Sequence, residues 1–180
     1  MSNVGSGTGH YLEVVRFGEW ERVEVTPGDV ITFPQGLVGM GDRRRFALLD
    51  DPRIAPCRWL QSIDDPALAF VVVEPRLVVP DYEAGVSGDD AQQLELRDAR
   101  DGDLWAIVTV DADPARSTVN LLAPVVVNPQ QRLGRQIILD GSGYSLRHPV
   151  AAVEGGANGE HGEHGESDMA AAPHPAASRR

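Results

Sequence analysis

Residues 58–73 read RWLQSIDDPALAFVVV, and their patterning decides the fold. Over Arg58–Ile63, Trp59 and Gln61 fall on one face of an extended chain and Leu60 and Ser62 on the other, because successive strand side chains point to opposite faces. Asp64-Asp65-Pro66 then opens a turn: Asp bonds to nearby backbone and Pro presets φ. Leu68–Val73 is a continuous apolar run of strand length, expected to be buried on both faces. Working outward, β-prone runs occupy Tyr11–Phe17 and Glu19–Val25, with Gly18 between them as a hairpin turn. Others are Val30–Phe33, stopped by Pro34, then Phe46–Leu49, Leu104–Val110, Pro124–Val127 and Gln136–Leu139. Pro27-Gly28-Asp29 is a turn signal. Strands recur roughly every ten to fifteen residues with Gly, Pro and Asp between them, the spacing of an antiparallel barrel or sandwich rather than of βαβ units. The expected fold is mostly β, a small antiparallel β-barrel-like domain with one or two short helices. The clearest helix starts at Ser87, a capping residue followed by Asp89 and Asp90, which suit a helix N-terminus. It is expected to run to about Leu96 and to lie against a sheet edge or barrel mouth on Ala91, Leu94 and Leu96.

The two ends of the chain differ from its middle. All ten aromatic residues lie between Tyr11 and Tyr144. Residues 1–10 are rich in Gly and Ser and are expected to be flexible. Residues 151–180 hold five acids, five Gly and eight Ala, with only Val153 and Met169 as larger apolar residues. Such a segment cannot bury enough surface to offset the entropy of ordering, so a disordered acidic tail is expected there. The folded domain is therefore placed at residues 11–150.

The chain of 180 residues carries 16 basic residues, all Arg, against 27 acids, a net charge of −11. Residues 1–150 alone hold 22 acids and 14 Arg, a net of −8. Phosphate recognition needs clustered basic side chains, so direct nucleic-acid binding is not expected. Arg43-Arg44-Arg45 is read as a solvated surface loop. No run of about 18 apolar residues exists, and no membrane span is expected. The opening residues lack the charge and apolar core of a secretory signal. A single cysteine, Cys57, forms no internal disulfide, which fits a reducing cytoplasm. It lies beside Arg58, which would lower its pKa, but it begins an apolar strand and reads better as a small buried hydrophobe.

No residue pattern points to catalysis. Asp64 and Asp65 are neighbours on an extended chain, so they face opposite ways and read as turn openers rather than as an acid/base pair. His161 and His164 sit in the tail with no surrounding groups to orient them, so no metal site and no cofactor are expected. His10 is expected to be loose, and His148 to pack or cap. Gly141-Ser142-Gly143 is a turn without the lysine of a phosphate loop. Pro80-Asp81-Tyr82-Glu83 offers an aromatic body with a polar end, suited either to a partner anchor or to a lid over the core. Asn120 and Asn128 are expected to satisfy backbone groups at turns, and Trp59, Phe70, Trp105 and Val125–Val127 to be core. The residues alone describe an acidic β domain that reads as a binding module.

Six segments, in order, resemble the flagellar assembly factor FliW family. They are Ile31-Thr32-Phe33-Pro34-Gln35-Gly36-Leu37; Trp59-Leu60-Gln61-Ser62 with Asp64-Asp65-Pro66 and Leu68–Val72; Pro80-Asp81-Tyr82-Glu83; Asn120–Asn128; Gly134–Leu139; and Tyr144 with Arg147-His148-Pro149. Val38 and Met40 stand where the family usually has proline and phenylalanine, an apolar exchange expected to preserve packing. Ala84-Gly85 replaces a bulkier apolar residue, which is expected to loosen the edge there. Arg135 replaces a lysine, keeping charge but changing geometry. The resemblance implies a non-enzymatic cytoplasmic protein that binds flagellin before export. It also implies binding to the translational regulator CsrA, relieving repression of flagellin synthesis once flagellin has left. The partner-binding residues it suggests are Leu60, Gln61, Ser62, Asp64, Asp65, Asp81 and Tyr82. An acidic surface is compatible with a basic RNA-binding protein as partner.

Overall fold

A computed structural model of the chain describes residues 10–150. The expected loose N-terminal segment up to residue 9, and the expected tail with His161 and His164, lie outside the described residues. Eleven strands form: β1 (His10–Arg16), β2 (Glu19–Val25), β3 (Val30–Thr32), β4 (Arg45–Asp50), β5 (Arg58–Ser62), β6 (Ala69–Val73), β7 (Asp103–Thr109), β8 (Thr118–Val119), β9 (Val125–Asn128), β10 (Leu133–Gln136) and β11 (His148–Pro149). Among the described residues one helix, α1 (Gly88–Gln93), joins them, along with short 3-10 turns.

Seven strands close into a barrel in the order β7-β6-β5-β4-β3-β10-β9, with β9 returning to β7. Closure works because β7 is shared. Its first half pairs with β9 at Asp103–Trp105, and its second half pairs with β8 at Val108 and Thr109. Every pairing in the ring is antiparallel except β3–β10, a parallel seam registered at Thr32 and Leu133 and reinforced by Thr32 N–H donating to Arg132 O at 2.8 Å. That seam departs from the wholly antiparallel expectation. It arises because the β9–β10 hairpin lies beside β3, a strand it does not adjoin in sequence.

Strand alternation sends Ile31, Phe33, Phe46, Leu60, Val72 and Val125 into the barrel, where they are buried. Phe33 and Phe46 meet edge to face at 5.3 Å, a favoured aromatic geometry. Trp105 and Phe70 pack at the margins of this core. The outer face of the barrel is covered twice. Residues 75–96, together with Leu121, Ile137, Leu139 and Tyr144, cover Val73, Ala106, Val119 and Val126. Leu68–Val73, expected to be buried throughout, is so only at Val72, inside the barrel, and at Val73, under the first of these covers.

The second cover is the β1–β2 hairpin, hydrogen-bonded as its own two-stranded sheet. Its turn puts both Phe17 (φ 52) and Gly18 (φ 84) in the left-handed region, the tight-hairpin geometry for which Gly18 is suited. Val25 seats against Ala47 and Leu49, with Leu12, Val23 and Trp59 alongside. A polar lock fixes the tip. Asp51 accepts from the amide, Nε and Nη2 of Arg53 at 2.8–3.0 Å and from Trp59 Nε1 at 3.0 Å. Arg53 also donates to Glu21 of β2 at 2.5 and 2.8 Å. Arg16, from β1, reaches Asp51 at 3.7 Å with its side chain only 4% exposed, and its guanidinium lies 5.1 Å from the Trp59 ring centroid. Its Nε and Nη2 have no hydrogen-bond partner among the described residues.

Several sequence expectations change in detail. His10 is not loose: it begins β1, opposite Val25. Gln136–Leu139 was expected as a strand, but β10 lies earlier, and Ile137 and Leu139 instead donate to Pro124 O and Leu122 O. The helix begins as expected, with Ser87 Oγ accepting from Asp90 N–H at 3.1 Å. It stops short of Leu96 because Glu95 turns left-handed (φ 54). Leu96 N–H then bonds back to Ala91 O, and Glu95 N–H to Gln92 O, which closes the last turn. Asn128 Nδ2 donates to the free carbonyls of Leu94 and Glu95, at 2.8 and 3.1 Å, while its Oδ1 accepts from Gln130 and Gln131. Asn120 Oδ1 accepts from Ala123 N–H. Both asparagines thus hold turns, as expected.

Candidate partner interface

The sequence-derived contact residues fall into two separate groups. Gln61, Ser62, Asp64 and Asp65 gather at the β5–β6 turn. Gln61 Nε2 lies 3.1 Å from the carbonyls of Ser62, Pro66 and Leu68, and Ser62 Oγ accepts from Asp65 N–H at 3.0 Å. Leu60 projects into the barrel. Tyr82 belongs to the other core cluster, in the layer over the outside of the barrel, and Asp81 precedes it at the surface.

Burial then divides the seven residues differently. Leu60, Gln61, Ser62 and Tyr82 are each 0–1% exposed, so the expected contact role for these four gives way to a supporting one. Tyr82 is the clearest correction. Its ring packs 4.5 Å from that of Tyr144, and its hydroxyl donates to Leu121 O at 2.8 Å. Burial pushes its phenol pKa up, with Tyr144 adding to the effect. It is the lid over the core, not the exposed anchor. Tyr82→Phe, which removes one buried donor and strands Leu121 O, is expected to lower stability by about 1–2 kcal/mol in urea unfolding; an unchanged midpoint would refute this bond's contribution.

Asp64, Asp65 and Asp81 remain at the surface. Asp64 is largely committed: it accepts from the amides of Arg44 and Arg45 and from Arg45 Nε, at 2.8–3.0 Å. Burial works to raise its pKa, but those amide donors and the Arg45 guanidinium outweigh it and hold the carboxyl below its ordinary value. A carboxyl kept ionised in this way is a poor general acid. The same contacts dispose of the basic cluster. Arg45 pairs with Asp64 at 2.7 Å and Arg43 with Asp42 and Asp65, so two of the three arginines are neutralised locally. Cys57 is half-buried, and burial pushes its thiol pKa up, away from reactivity. Arg135 donates to Asp90 at 2.8 Å and to Gln93 at 2.5 Å, using two arms of its guanidinium where lysine has a single ammonium.

Sequence reading missed an apolar mouth at one end of the barrel. Phe70, Ile107, Leu37 and Leu122 line it. Val38, Ile138 and Leu146 stand on its rim, each more than half exposed. Val38 therefore does not preserve packing as expected; it is held out at the surface, where its N–H donates to Gln136 Oε1 at 2.9 Å. The mouth adjoins the acidic turn, since Arg43, paired with Asp65, also donates its N–H to Met40 O at 3.2 Å beside the mouth. The signal available was that Val38 and Met40 flank Gly39, a turn residue, which the structure places at positive φ. No helix among the described residues is long and apolar enough to cross a membrane.

Comparison with known proteins gives a consistent result. The family described as FliW protein matches residues 13–150. The chain is similar to the flagellar assembly factor FliW of Bdellovibrio bacteriovorus, 43% identical over 139 residues, covering 77% of this chain and 78% of that one. It is similar to the FliW of Desulfitobacterium hafniense, 40% identical over 147 residues, covering 80% and 95%. A crystal structure of the flagellar assembly factor FliW superposes with a TM-score of 0.71 at 33% identity, covering 78% of this chain and 96% of the other. With its closed seven-stranded barrel and a family match spanning that whole barrel, this chain belongs to the FliW family.

Proposed function

We propose that this chain is a non-enzymatic flagellar assembly factor that binds flagellin in the cytoplasm before export. Once flagellin has left, the freed protein binds CsrA and relieves its repression of flagellin translation. The observation that supports this most is the family match over residues 13–150. The mechanism is competition by mass action between two protein partners. The surface proposed to carry it is the acidic turn at Asp64 and Asp65, with Asp81 as a further contact and the apolar mouth beside the turn. Leu60, Gln61, Ser62 and Tyr82 hold these positions from beneath. Apolar area supplies affinity, and the carboxylates steer a basic partner.

Calorimetric titration of the full chain against the organism's flagellin is expected to give saturable binding, which CsrA then reduces as competitor. Asp65→Ala combined with Asp81→Ala is expected to weaken at least one of the two affinities several-fold, about 1–2 kcal/mol, with an unchanged unfolding midpoint. Absence of both heat and co-elution with flagellin would overturn the flagellin half. Unchanged affinities in the folded double variant would remove these two residues from the interface.

A further inference from the structure

We propose that the outward face of the β1–β2 hairpin is a second docking surface, one that receives a basic amphipathic segment of a partner protein. The hairpin turns one face onto the barrel and leaves the other to solvent. That outer face carries Tyr11, Glu13 and Val15 from β1 and Trp20, Arg22 and Glu24 from β2, by strand alternation. Val15 lies opposite Trp20 in register, so the two form one apolar spot. Trp20 is 70% exposed, Tyr11 55% and Val15 39%. Aromatic residues gathered on one exposed face mark interaction sites more often than they serve solubility. The polar lock at Asp51 and the apolar seat of Val25 hold the hairpin in place from behind, so the face is presented already ordered, which reduces the entropy lost on binding.

Charge selects the occupant. The one cation on the face, Arg22, is occupied: its guanidinium lies 4.2 Å from the Tyr11 ring centroid, and it sits opposite Glu13 in register. The side chains of Glu13 and Glu24 form no ion pair or hydrogen bond among the described residues. The uncommitted charge is therefore negative and borders exposed indole and phenol rings. That combination suits Lys or Arg side chains, which pair with the carboxylates and lie over the aromatic faces, with aliphatic residues between them covering Val15. Nucleic acid and anionic lipid surfaces are repelled by the same carboxylates and by the −8 of residues 1–150.

The test uses the full chain and a fluorescent peptide with Lys and Leu at helical spacing, read by anisotropy. The wild type is expected to bind it saturably. Trp20→Ala is expected to weaken binding at least about tenfold. Glu13→Gln with Glu24→Gln should weaken it several-fold and flatten its salt dependence. Asp140→Asn, a carboxylate elsewhere on the surface, should leave it unchanged. Val15→Ser serves as the second apolar variant if Trp20→Ala fails to fold. Three results would overturn the proposal. One is no binding by the wild type. Another is equal weakening by Asp140→Asn and the hairpin variants, which would mean general acidity alone. The third is a wild-type dimer in sedimentation that Trp20→Ala dissociates, which would mean that a second copy of the chain occupies the face.

Discussion

Asp51→Ala is expected to lower the stability of the protein by about 3–5 kcal/mol, the range seen when one partner of a buried ion pair is removed. Asp51 is the acceptor at the centre of the hairpin lock, and its side chain is only 4% exposed. Without it, Trp59 Nε1 loses its partner and the buried Arg16 guanidinium faces Arg53 with Glu21 as the remaining carboxylate beside them. Arg16→Met gives the contrast. It removes a buried cation two of whose nitrogens have no partner, and it leaves the bonds of Asp51 with Arg53 and Trp59 intact. Its cost is expected to stay within about 1 kcal/mol, in either direction. Urea unfolding of both variants decides the matter, and equal losses would show that the lock does not act as described. The lock also has a pH signature. The Arg53 hydrogen bonds, aided by Trp59 and opposed by burial, hold the Asp51 carboxyl well below its ordinary value. A depressed carboxyl stabilises the fold above its unfolded value of about 3.9, and that contribution disappears as pH falls toward the folded value. Stability of the wild type should therefore drop below about pH 4 more steeply than that of Asp51→Ala.

Gly134→Ala is expected to be the most damaging single-methyl change in the barrel. Gly134 faces the interior from β10, and a Cβ there would lie 2.4–2.8 Å from three carbons of the Phe33 ring. Phe33 has no room to retreat, being wholly buried and packed edge to face on Phe46. Overpacking of this kind costs about 1–3 kcal/mol, and here the displaced ring also lies beside the parallel seam. Phe33→Leu alone should cost about 1–1.5 kcal/mol. Combined with Gly134→Ala it should cost clearly less than the sum of the two, because the smaller side chain makes room for the methyl. Additive losses in unfolding would refute the contact.

The barrel strands were largely legible because each carries its own alternation of apolar residues, and turn residues bound them. Elements of two residues, β8 and β11, carry too short a pattern to be read. The β3–β10 seam left no local trace, since pairing partners far apart in sequence are chosen by topology. The contact residues were misjudged for a related reason. Gln61 and Tyr82 look like surface groups when only one buried face per strand is considered. Here the barrel has further layers over its outside, and polar side chains under them are spent on backbone carbonyls such as those of Pro66 and Leu121. The hairpin lock joins Arg16, Glu21, Asp51 and Trp59 from four segments, and no spacing rule connects them.

The seam has a consequence for how the chain reaches this shape. The ring is complete only when Thr32, near the start, meets Leu133, near the end of the described residues. Such a join is a long-range contact, of the kind that slows folding. During synthesis the β3–β6 meander can zip up locally as it emerges, but it remains an open sheet with two raw edges until β9 and β10 arrive. Until those two strands have been made, the barrel cannot close, and its two outer strands stay open to pairing with other chains.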